Sequence, residues 1–572
     1  MRTIARQRGA ALLIVMALLA MGGTYLLVSA LGTASSRTAA DRETSARALS
    51  DARSALLGWV AAKAFESGES NPGRLPCPES LADAGTGTAS EGTAASFCTL
   101  PAVGRLPWKT LGLPRLVDSA GEPLWYVVGA NWANYSAIAS LVINSDTPGQ
   151  LSVDGTANAA VALIIAPGVP LGVQASANCT ARTQKRQALP PDLRDYLECQ
   201  NASSPADATF ASSGPADSFN DQVVQIRTVD VMPVIEAGIA KRIERDVAPV
   251  LKSVYAGAEW GLSTANTVLP YATPFTNPGT SNYQGSLGQT QGLLPVSYYR
   301  SPAVGCPTSP VDPRCTTTGV AWGTPSGAKT GGSGSLWATP TCYGVDSATD
   351  YAECVGWYQG GTMTIAVSDP ALSIATALRT FNTANHTVTV YAWRYTYSSF
   401  CGCWLTSSMS ATSTAVSRSF NSDGSVSFVA TVSLPWVSSS DWGYFQIDAM
   451  RPTFSDHAVL DTADATTGWF LRNEWHKFAY YAIAPSQAAS GAAPRNCQDG
   501  SGNCLTVTNL SGSNKRAVLV LGGRNLANQT HPSANLTDYL ENAENRNGDT
   551  TFTQDKVGPA TNDRIVVLDQ SS

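Results

Sequence analysis

The chain is poor in histidine and in charge, and both shortages exclude classes of function. Only four histidines occur in 572 residues, and no two are close in sequence: His386, His457, His476 and His531. A histidine-rich metal centre is therefore not expected. Charged residues make up 14% of the chain and the net charge is −6, so no electrostatic basis for binding nucleic acid is present.

Complete catalytic motifs are also lacking. The segment GTPSGAKT (323–330) resembles a phosphate-binding loop, but Ala328 stands where the motif requires glycine, and no strand-to-helix pattern surrounds it. The tetrads DYLE at 195–198 and 538–541 each hold two carboxylates three residues apart, which would share a face on a helix. No histidine, cysteine or glycine-rich loop accompanies them, so we interpret them as structural. We predict that the protein is not an enzyme.

Indications of a cofactor are equally few. The turn NRNGD (545–549) combines acidic and amide side chains that could ligate calcium, but it is not a full ligand loop. A structural calcium ion is the one weak indication. Otherwise we expect no cofactor and no metal.

Cysteine, in contrast, is well represented, with 12 residues in close pairs. None of the pairs has the two-residue gap typical of zinc sites, so the spacing favours local disulfides formed in an oxidising compartment. The connectivity cannot be derived from sequence, and a ring as tight as that of the Cys401/Cys403 pair would be strained. The neighbouring pairs are Cys77/Cys98, Cys179/Cys199, Cys306/Cys315, Cys342/Cys354, Cys401/Cys403 and Cys497/Cys504.

A long apolar run lies near the start of the chain. Residues 10–32 carry no charge and follow three arginines, so a helix here would be about 35 Å long and could cross a bilayer with its N-terminus in the cytoplasm. Residues 40–65 continue with a helical pattern, which predicts one helix over 10–66. The alternative is a secretory signal peptide cut close to Ser35, after the small residues 32–34.

The leader RQRG, followed at once by this apolar helix, resembles the leader of type IV pilins and pseudopilins. The resemblance implies cleavage by a prepilin peptidase between Gly9 and Ala10, methylation of the new amine, and a helix that first anchors the subunit in the inner membrane. In the filament this helix would pack against other pilin subunits. Most members of the family have glutamate at the fifth mature position, where this chain has Ile14. Because an unpaired carboxylate in an apolar core is costly, Ile14 suits a subunit with no neighbour ahead of it, as in minor pseudopilins at the tip.

The chain also contains an internal duplication. Each copy is expected to form two strands, a short helix and a last strand, with Asn-Asp turns before the last strands. In the first match Gly168, Leu171 and Gln174 lie over Gly523, Leu526 and Gln529. The matched segments are 161–174 with 517–529, 192–198 with 535–541, 208–210 with 550–552, 214–226 with 558–568 and, loosely, 125–130 with 480–485.

Residues 262–468 have no counterpart in the first copy and alternate between apolar and polar residues, as strands of a β-sandwich or jelly roll do. The strand HTVTVYAWRYTY (386–397) has an aliphatic face and an aromatic face. If the aliphatic face is the core, the aromatic face could stack on sugar rings or fill the groove of a partner protein; if the aromatic face is the core, nothing special follows. The aromatic residues are Tyr391, Trp393, Tyr395 and Tyr397.

These features predict an α+β protein with a long N-terminal pilin-type helix, duplicated pilin-like units and an inserted β-sandwich domain. We expect a minor pilin-like subunit of a type IV pilus or related filament, moving from the inner membrane to the filament tip on the bacterial surface and displaying an adhesive head for a surface glycan or a cell protein. The alternative is a Sec-exported adhesin outside any filament. The expected divisions are a leader (1–9), the N-terminal helix (10–66), the first unit (67–227), the helix of the second unit (228–261), the insert (262–468) and the rest of the second unit (469–572).

Overall fold

The structure is a computed structural model, and it describes most of the chain from residue 40 onward. Gly9, Ala10 and Ile14 lie outside the described residues. Among the described residues, no helix is both long enough and apolar enough to cross a membrane. The described segments are 40–98, 102–133, 142–173, 181–186, 188–203, 208–212, 219–254, 269–283, 285–286, 288–296, the strands and one loop of 321–456, 464, 466–487, 497 and 503–570.

Two compact units make up the chain, and the first contains helix α1 and a four-stranded sheet. Helix α1 spans residues 40–65 and is the described part of the predicted N-terminal helix. Its apolar residues recur every three or four positions, so they form one buried stripe. The buried residues of this stripe are Ala48, Leu49, Ala52, Leu56, Val60 and Ala64.

The four-stranded sheet of the first unit is antiparallel, in the order β1-β2-β5-β9. Strand β5, the third in this order, is apolar along its whole length and fully buried, as the sequence predicts. A small sheet, β4-β3-β8, contains a parallel pair, and β6 and β7 form a hairpin. The elements are β1 (Ala102–Arg105), β2 (Trp125–Val128), β3 (Leu151–Val153), β4 (Thr156–Ala160), β5 (Ala162–Ala166), β6 (Gly172–Val173), β7 (Arg182–Thr183), α2 (Cys199–Ser203), β8 (Thr209–Phe210) and β9 (Gln222–Ile226).

The amphipathic helix predicted at the start of the second copy is present, but it is not continuous. A π-helical turn, Ile243–Val247, joins α3 (Thr228–Arg242) to α4 (Ala248–Val254). Pro249 has no backbone N–H for a normal α-helical bond, and such a turn accommodates the missing donor. Five apolar residues spaced four apart form one buried stripe along this helix: Ile235, Ile239, Ile243, Val247 and Leu251.

The second unit repeats the sheet of the first. Four antiparallel strands follow in the order β10-β23-β25-β27, and β24 and β26 form a separate parallel pair, like β3 and β8. The elements after the insert are α5 (Gly468–Arg472), β23 (Ala479–Ile483), β24 (Thr506–Thr508), β25 (Lys515–Leu521), β26 (Thr551–Thr553) and β27 (Arg564–Gln570). The loose match of 125–130 with 480–485 thus corresponds to the second strand of each sheet.

The duplication is longer than the sequence comparison indicated. Strand β10 (Gln291–Leu293), which lies within the range 262–468 predicted for the insert, pairs with β23 of the second sheet. In both units the first strand has a glycine followed by a residue that bridges back to an upstream loop: Arg105 bridges Glu79, and Leu293 bridges Thr273. Sequence comparison missed this repeat because only short pieces such as GRLP and GLLP are alike.

The insert forms two five-stranded antiparallel sheets, which agrees with the strands predicted from alternation. Strands β17 and β18 of one sheet contact β20 of the other. Together with the helices, these sheets make the protein α+β. The strands are β11 (Ala321–Trp322), β12 (Ser326–Ala328), β13 (Thr341–Tyr343), β14 (Tyr351–Tyr358), β15 (Gly361–Ser373), β16 (Arg379–Phe381), β17 (Thr387–Ser398), β18 (Cys403–Ala415), β19 (Ser417–Phe420), β20 (Ser425–Leu434), β21 (Trp442–Met450) and β22 (Phe454–Asp456).

Disulfide bonds join neighbouring cysteines, and no described cysteine is free. Cys199 is also disulfide-bonded. The strand register places Cys342 opposite Cys354, while Cys179, Cys306 and Cys315 lie outside the described residues. The bonded pairs are Cys77–Cys98, Cys401–Cys403 and Cys497–Cys504.

Candidate binding surface

The aromatic row predicted on β17 is accessible to solvent at both of its ends. Tyr391 is 38% exposed and Tyr397 is 52% exposed, while Trp393 and Tyr395 between them are half-buried. The rings of Tyr391 and Trp393 stack with their centroids 6.3 Å apart. This row is therefore a partly open surface rather than a sealed core.

In the register of the sheet, the row on β17 extends to aromatic residues of the neighbouring strands. Trp393 is opposite Tyr444 of β21, which is in turn opposite Trp357 of β14, and Tyr395 is opposite Trp442. Sequence reasoning found the row on β17 but not this extension, because strand order and register are tertiary information.

The row ends at a hairpin whose tip carries apolar residues that sequence reasoning missed. Strands β17 and β18 pair as far as Ser398 and Cys403, and the Cys401–Cys403 disulfide closes the loop. The tip residues are strongly exposed: Phe400 (101%), Leu405 (54%), Tyr397 (52%) and Trp404 (46%). Only a break in the alternating pattern, at FCGC, signals this tip in the sequence.

Within the first unit, the DYLE carboxylates have structural partners. Asp195 lies in a three-residue 3-10 helix and pairs with Arg182 at 2.7 Å. Glu198 lies beyond that helix and is fully buried, so the two carboxylates do not form the shared helix face that their spacing allows. The Oε2 atom of Glu198 accepts hydrogen bonds from the backbone N–H groups of Asn220 and Asp221, both at 3.0 Å.

The Asn-Asp pair before β9 is not a simple exposed turn. Asp221 is buried, and its Oδ2 atom accepts from the backbone N–H of Glu198 at 3.1 Å and from Asn201 at 3.0 Å. Burial, followed by repulsion from Glu198, raises the pKa of the Asp221 carboxyl well above its usual value. Burial also raises the pKa of Glu198. Two buried carboxyl groups therefore brace the last strand, and the low polarity around them favours the protonated form of each.

The same brace recurs in the second unit. Glu541 accepts from the backbone N–H of Asn562 at 2.9 Å and donates its own backbone N–H to Asp563 at 3.1 Å. Burial and the charge of Glu541 raise the pKa of Asp563 well above its usual value. The side chain of Gln529 donates to Glu541 at 2.7 Å.

The structural counterpart of Gln529 is Gln184, not the Gln174 matched by sequence. Gln184 donates to Glu198 at 2.6 Å and accepts from the N–H of Leu171 at 2.9 Å, just as Gln529 accepts from Leu526 at 2.8 Å. The β6–β7 hairpin separates Leu171 from Gln184, so an alignment without that gap does not reach Gln184. Gln174 itself lies outside the described residues.

The first unit holds a small charged cavity of about 110 Å³ beside β1. The guanidinium of Arg105 lies over the rings of both Trp125 (4.3 Å) and Tyr196 (4.1 Å). Burial lowers the pKa of Arg105 to about 10 and raises that of Glu79 at the rim. Every charged group of this cavity thus has a nearby aromatic or opposite-charge partner, so the cavity is interpreted as structural.

The second unit contains a histidine–aspartate pair that the sequence did not indicate. The Nδ1 atom of His531 lies 2.8 Å from Asp146, and its Nε2 atom lies 2.6 Å from the carbonyl oxygen of Asp538. The ring stacks on Tyr539 and its side chain is only 1% exposed. Both nitrogens are engaged and inaccessible, so this pair stabilises the loop and is not a candidate base.

The turn considered for calcium is occupied by its own hydrogen bonds. Asn545 exchanges two hydrogen bonds with the backbone of Thr553, and Asn547 and Asp549 each accept from a backbone N–H two residues later. Among the described residues, no group of three His, Cys, Asp or Glu side chains is placed to hold a metal ion.

Comparisons with known proteins add little. No protein-family model matches the chain, and no curated protein matches it. One solved structure, the Avr2 effector protein from the fungal plant pathogen Fusarium oxysporum, aligns with 26% of this chain and 99% of its own, at 12% identity and a TM-score of 0.11. A similarity this weak carries no argument about fold or function.

Proposed function

We propose that the protein is a minor pilin-like subunit of a type IV pilus or related filament, carried at the tip, where it displays the insert as an adhesive head. The observation that carries the proposal is the order of parts: the leader RQRG, the uncharged run 10–32, helix α1, and then two copies of a four-stranded antiparallel unit. In this proposal the N-terminal segment anchors the chain before assembly and packs against other subunits afterwards.

The insert supports a role in display. It interrupts the second copy between its first two strands, β10 and β23, and leaves the pairing of those strands intact. A domain inserted in this way adds surface without altering the sheet that carries it. Its two sheets form the proposed β-sandwich, and the partly exposed aromatic row on β17 is its candidate contact with a glycan or a protein.

The test is the N-terminal sequence and mass of the protein isolated from its native host. The proposal expects a chain that begins at Ala10 with a methylated amine. A Gly9→Glu variant is expected to accumulate with its leader attached, because the peptidase requires glycine at that position according to the family resemblance.

The alternative, a secreted adhesin, predicts a start close to Ser35. In that case Gly9→Glu would leave processing unchanged, and the filament proposal would be abandoned. A chain that retains Met1 in the wild type would contradict both.

A further inference from the structure

The hairpin tip between β17 and β18 is an apolar protrusion. Phe400 at its end is fully exposed, and Leu405, Tyr397 and Trp404 beside it are each about half exposed. Residues of these types usually bury most of their area in folded proteins, and a cluster of them on a protruding loop indicates a contact with something outside the chain.

The tip is also held in one shape. The Cys401–Cys403 disulfide links two loop residues, and Gly402 between them adopts φ +61°, a conformation that favours glycine. Tyr397 and Trp404 are register partners, and their rings pack edge to face at 5.3 Å. Because the loop is already ordered, little conformational entropy remains to be lost when it binds.

Charge decides what kind of surface suits the tip. No charged residue occurs from 395 to 417, and the nearest ones along the chain are Arg394 and Arg418. An uncharged loop can enter an apolar phase without desolvating an ion, which is the main cost of placing protein in a bilayer. Tyrosine and tryptophan favour the interface between lipid headgroups and acyl chains, while phenylalanine and leucine favour the acyl chains themselves.

We propose that this tip inserts into the outer leaflet of a lipid bilayer with net-neutral headgroups, separate from the membrane that holds residues 10–32. Phe400 and Leu405 enter the acyl region, and Tyr397 and Trp404 lie at the headgroup boundary. A bilayer accommodates a protruding group from all sides, whereas a protein partner would need a matching pocket for the fully exposed side chain of Phe400. The inference rests on the proposed display of the insert.

The experiment uses the full chain reconstituted into phosphatidylcholine vesicles and measures the capture of labelled, protein-free phosphatidylcholine vesicles. We expect capture that is unaffected by high salt, because no charge is involved. Phe400→Ser is expected to lower capture by roughly ten- to a hundredfold, the effect of exposing one large apolar side chain to water instead of lipid. Phe97→Ser is the matched control, because Phe97 is 57% exposed in the first unit, and it should leave capture unchanged.

Four outcomes would overturn the inference. They are equal capture by Phe400→Ser and the parent, capture abolished by salt, capture only of vesicles that contain glycolipid, and capture only when both vesicle populations carry the protein. The last two would assign the tip to a glycan or to a second copy of the chain.

Failure of the proposed anchor is distinguished by flotation before capture is measured. If the chain does not float with the vesicles into which it was reconstituted, residues 10–32 do not anchor it in the bilayer. That result contradicts the proposed function. Binding of that unanchored chain to phosphatidylcholine vesicles then tests the tip directly, with Phe400→Ser as the variant expected to bind less.

Discussion

The two copies of the four-stranded unit have kept the hydrogen bonds that hold their backbones and have changed the side chains around them. In both, a glutamate after the 3-10 helix braces the Asn-Asp pair before the last strand, with a glutamine as its other partner. The two copies differ on the first strand, at the edge of each sheet. Arg105 stacks on two aromatic rings in the first copy, whereas the same register position in the second copy is Leu293.

This difference shows which features of the unit its backbone requires. A glutamate that satisfies buried N–H groups cannot be lost without leaving those donors unpaired, so it persists in both copies. The side chain over the sheet needs only to fill space and satisfy its own polar atoms, so either a stacked guanidinium or an apolar cluster serves. The predictions below test that distinction, beginning with the largest expected effect.

The first strand of each sheet should require its glycine. A Cβ atom on Gly104 would overlap the carbonyl oxygen of Glu79, and one on Gly292 would overlap that of Thr273. Gly292 also has φ +153°, which other residues rarely adopt. Gly104→Ala and Gly292→Ala should each lower the free energy of unfolding by about 3 kcal/mol or more, measured by urea unfolding.

The control for the glycine variants is Gly58→Ala in helix α1, where a Cβ atom meets nothing within 4 Å. Alanine there should raise stability by about 0.5–1 kcal/mol, because it favours the helix more than glycine does. If Gly104→Ala is tolerated as well as Gly58→Ala, the shared close approach of strand and loop is not a requirement of the fold.

The two bracing glutamates should differ in importance. Glu198 is fully buried, whereas Glu541 is half-buried. We expect Glu198→Ala to cost about 3 kcal/mol of unfolding free energy and Glu541→Ala about half as much, because water can replace part of the lost bonding at the second site. Urea midpoints of the two variants compare them directly.

Glu43→Ala is the surface control for these variants. Glu43 is 64% exposed and pairs with Arg47 within helix α1, so its loss should cost less than about 0.5 kcal/mol. If the Glu198 and Glu541 variants lose the same free energy of unfolding, burial of the glutamate does not determine how much each brace contributes.

The aspartates of the two braces should make stability depend on pH in the same direction. Their folded pKa values lie above the usual aspartate value of about 3.9. The folded state therefore binds the proton more tightly than the unfolded chain does. This contribution is fully present below the unfolded pKa and is lost as the pH rises towards the folded pKa.

Asparagine keeps a donor and an acceptor but does not titrate. Asp221→Asn and Asp563→Asn should therefore each weaken the fall in the free energy of unfolding as the pH rises above about 4. The reduction should be about 1.4 kcal/mol for each unit by which the aspartate pKa is raised. Urea unfolding at several pH values measures it, with the exposed Asp41→Asn as control. A loss with pH as steep as that of the parent would show that neither aspartate holds the proton.

The sequence predicted the secondary structure more completely than it predicted the tertiary contacts. The strands of the insert and the helix of the second unit were both predicted, since each depends on a pattern that repeats within a few residues. The predictions for the leader and for Ile14 remain predictions, because those residues lie outside the described part of the chain.

The sequence by itself determined the α+β class, the existence of two copies and the aromatic face of β17, because periodicity and repeated segments are local properties. Only the tertiary structure showed that β10 belongs to the second sheet, that Gln184 replaces Gln174, and that Phe400 ends an exposed tip. Those facts depend on which loops meet in space. An insertion such as the β6–β7 hairpin changes the spacing along the chain but not which loops contact each other. Partners distant in sequence are therefore set by the packing of the strands that carry them.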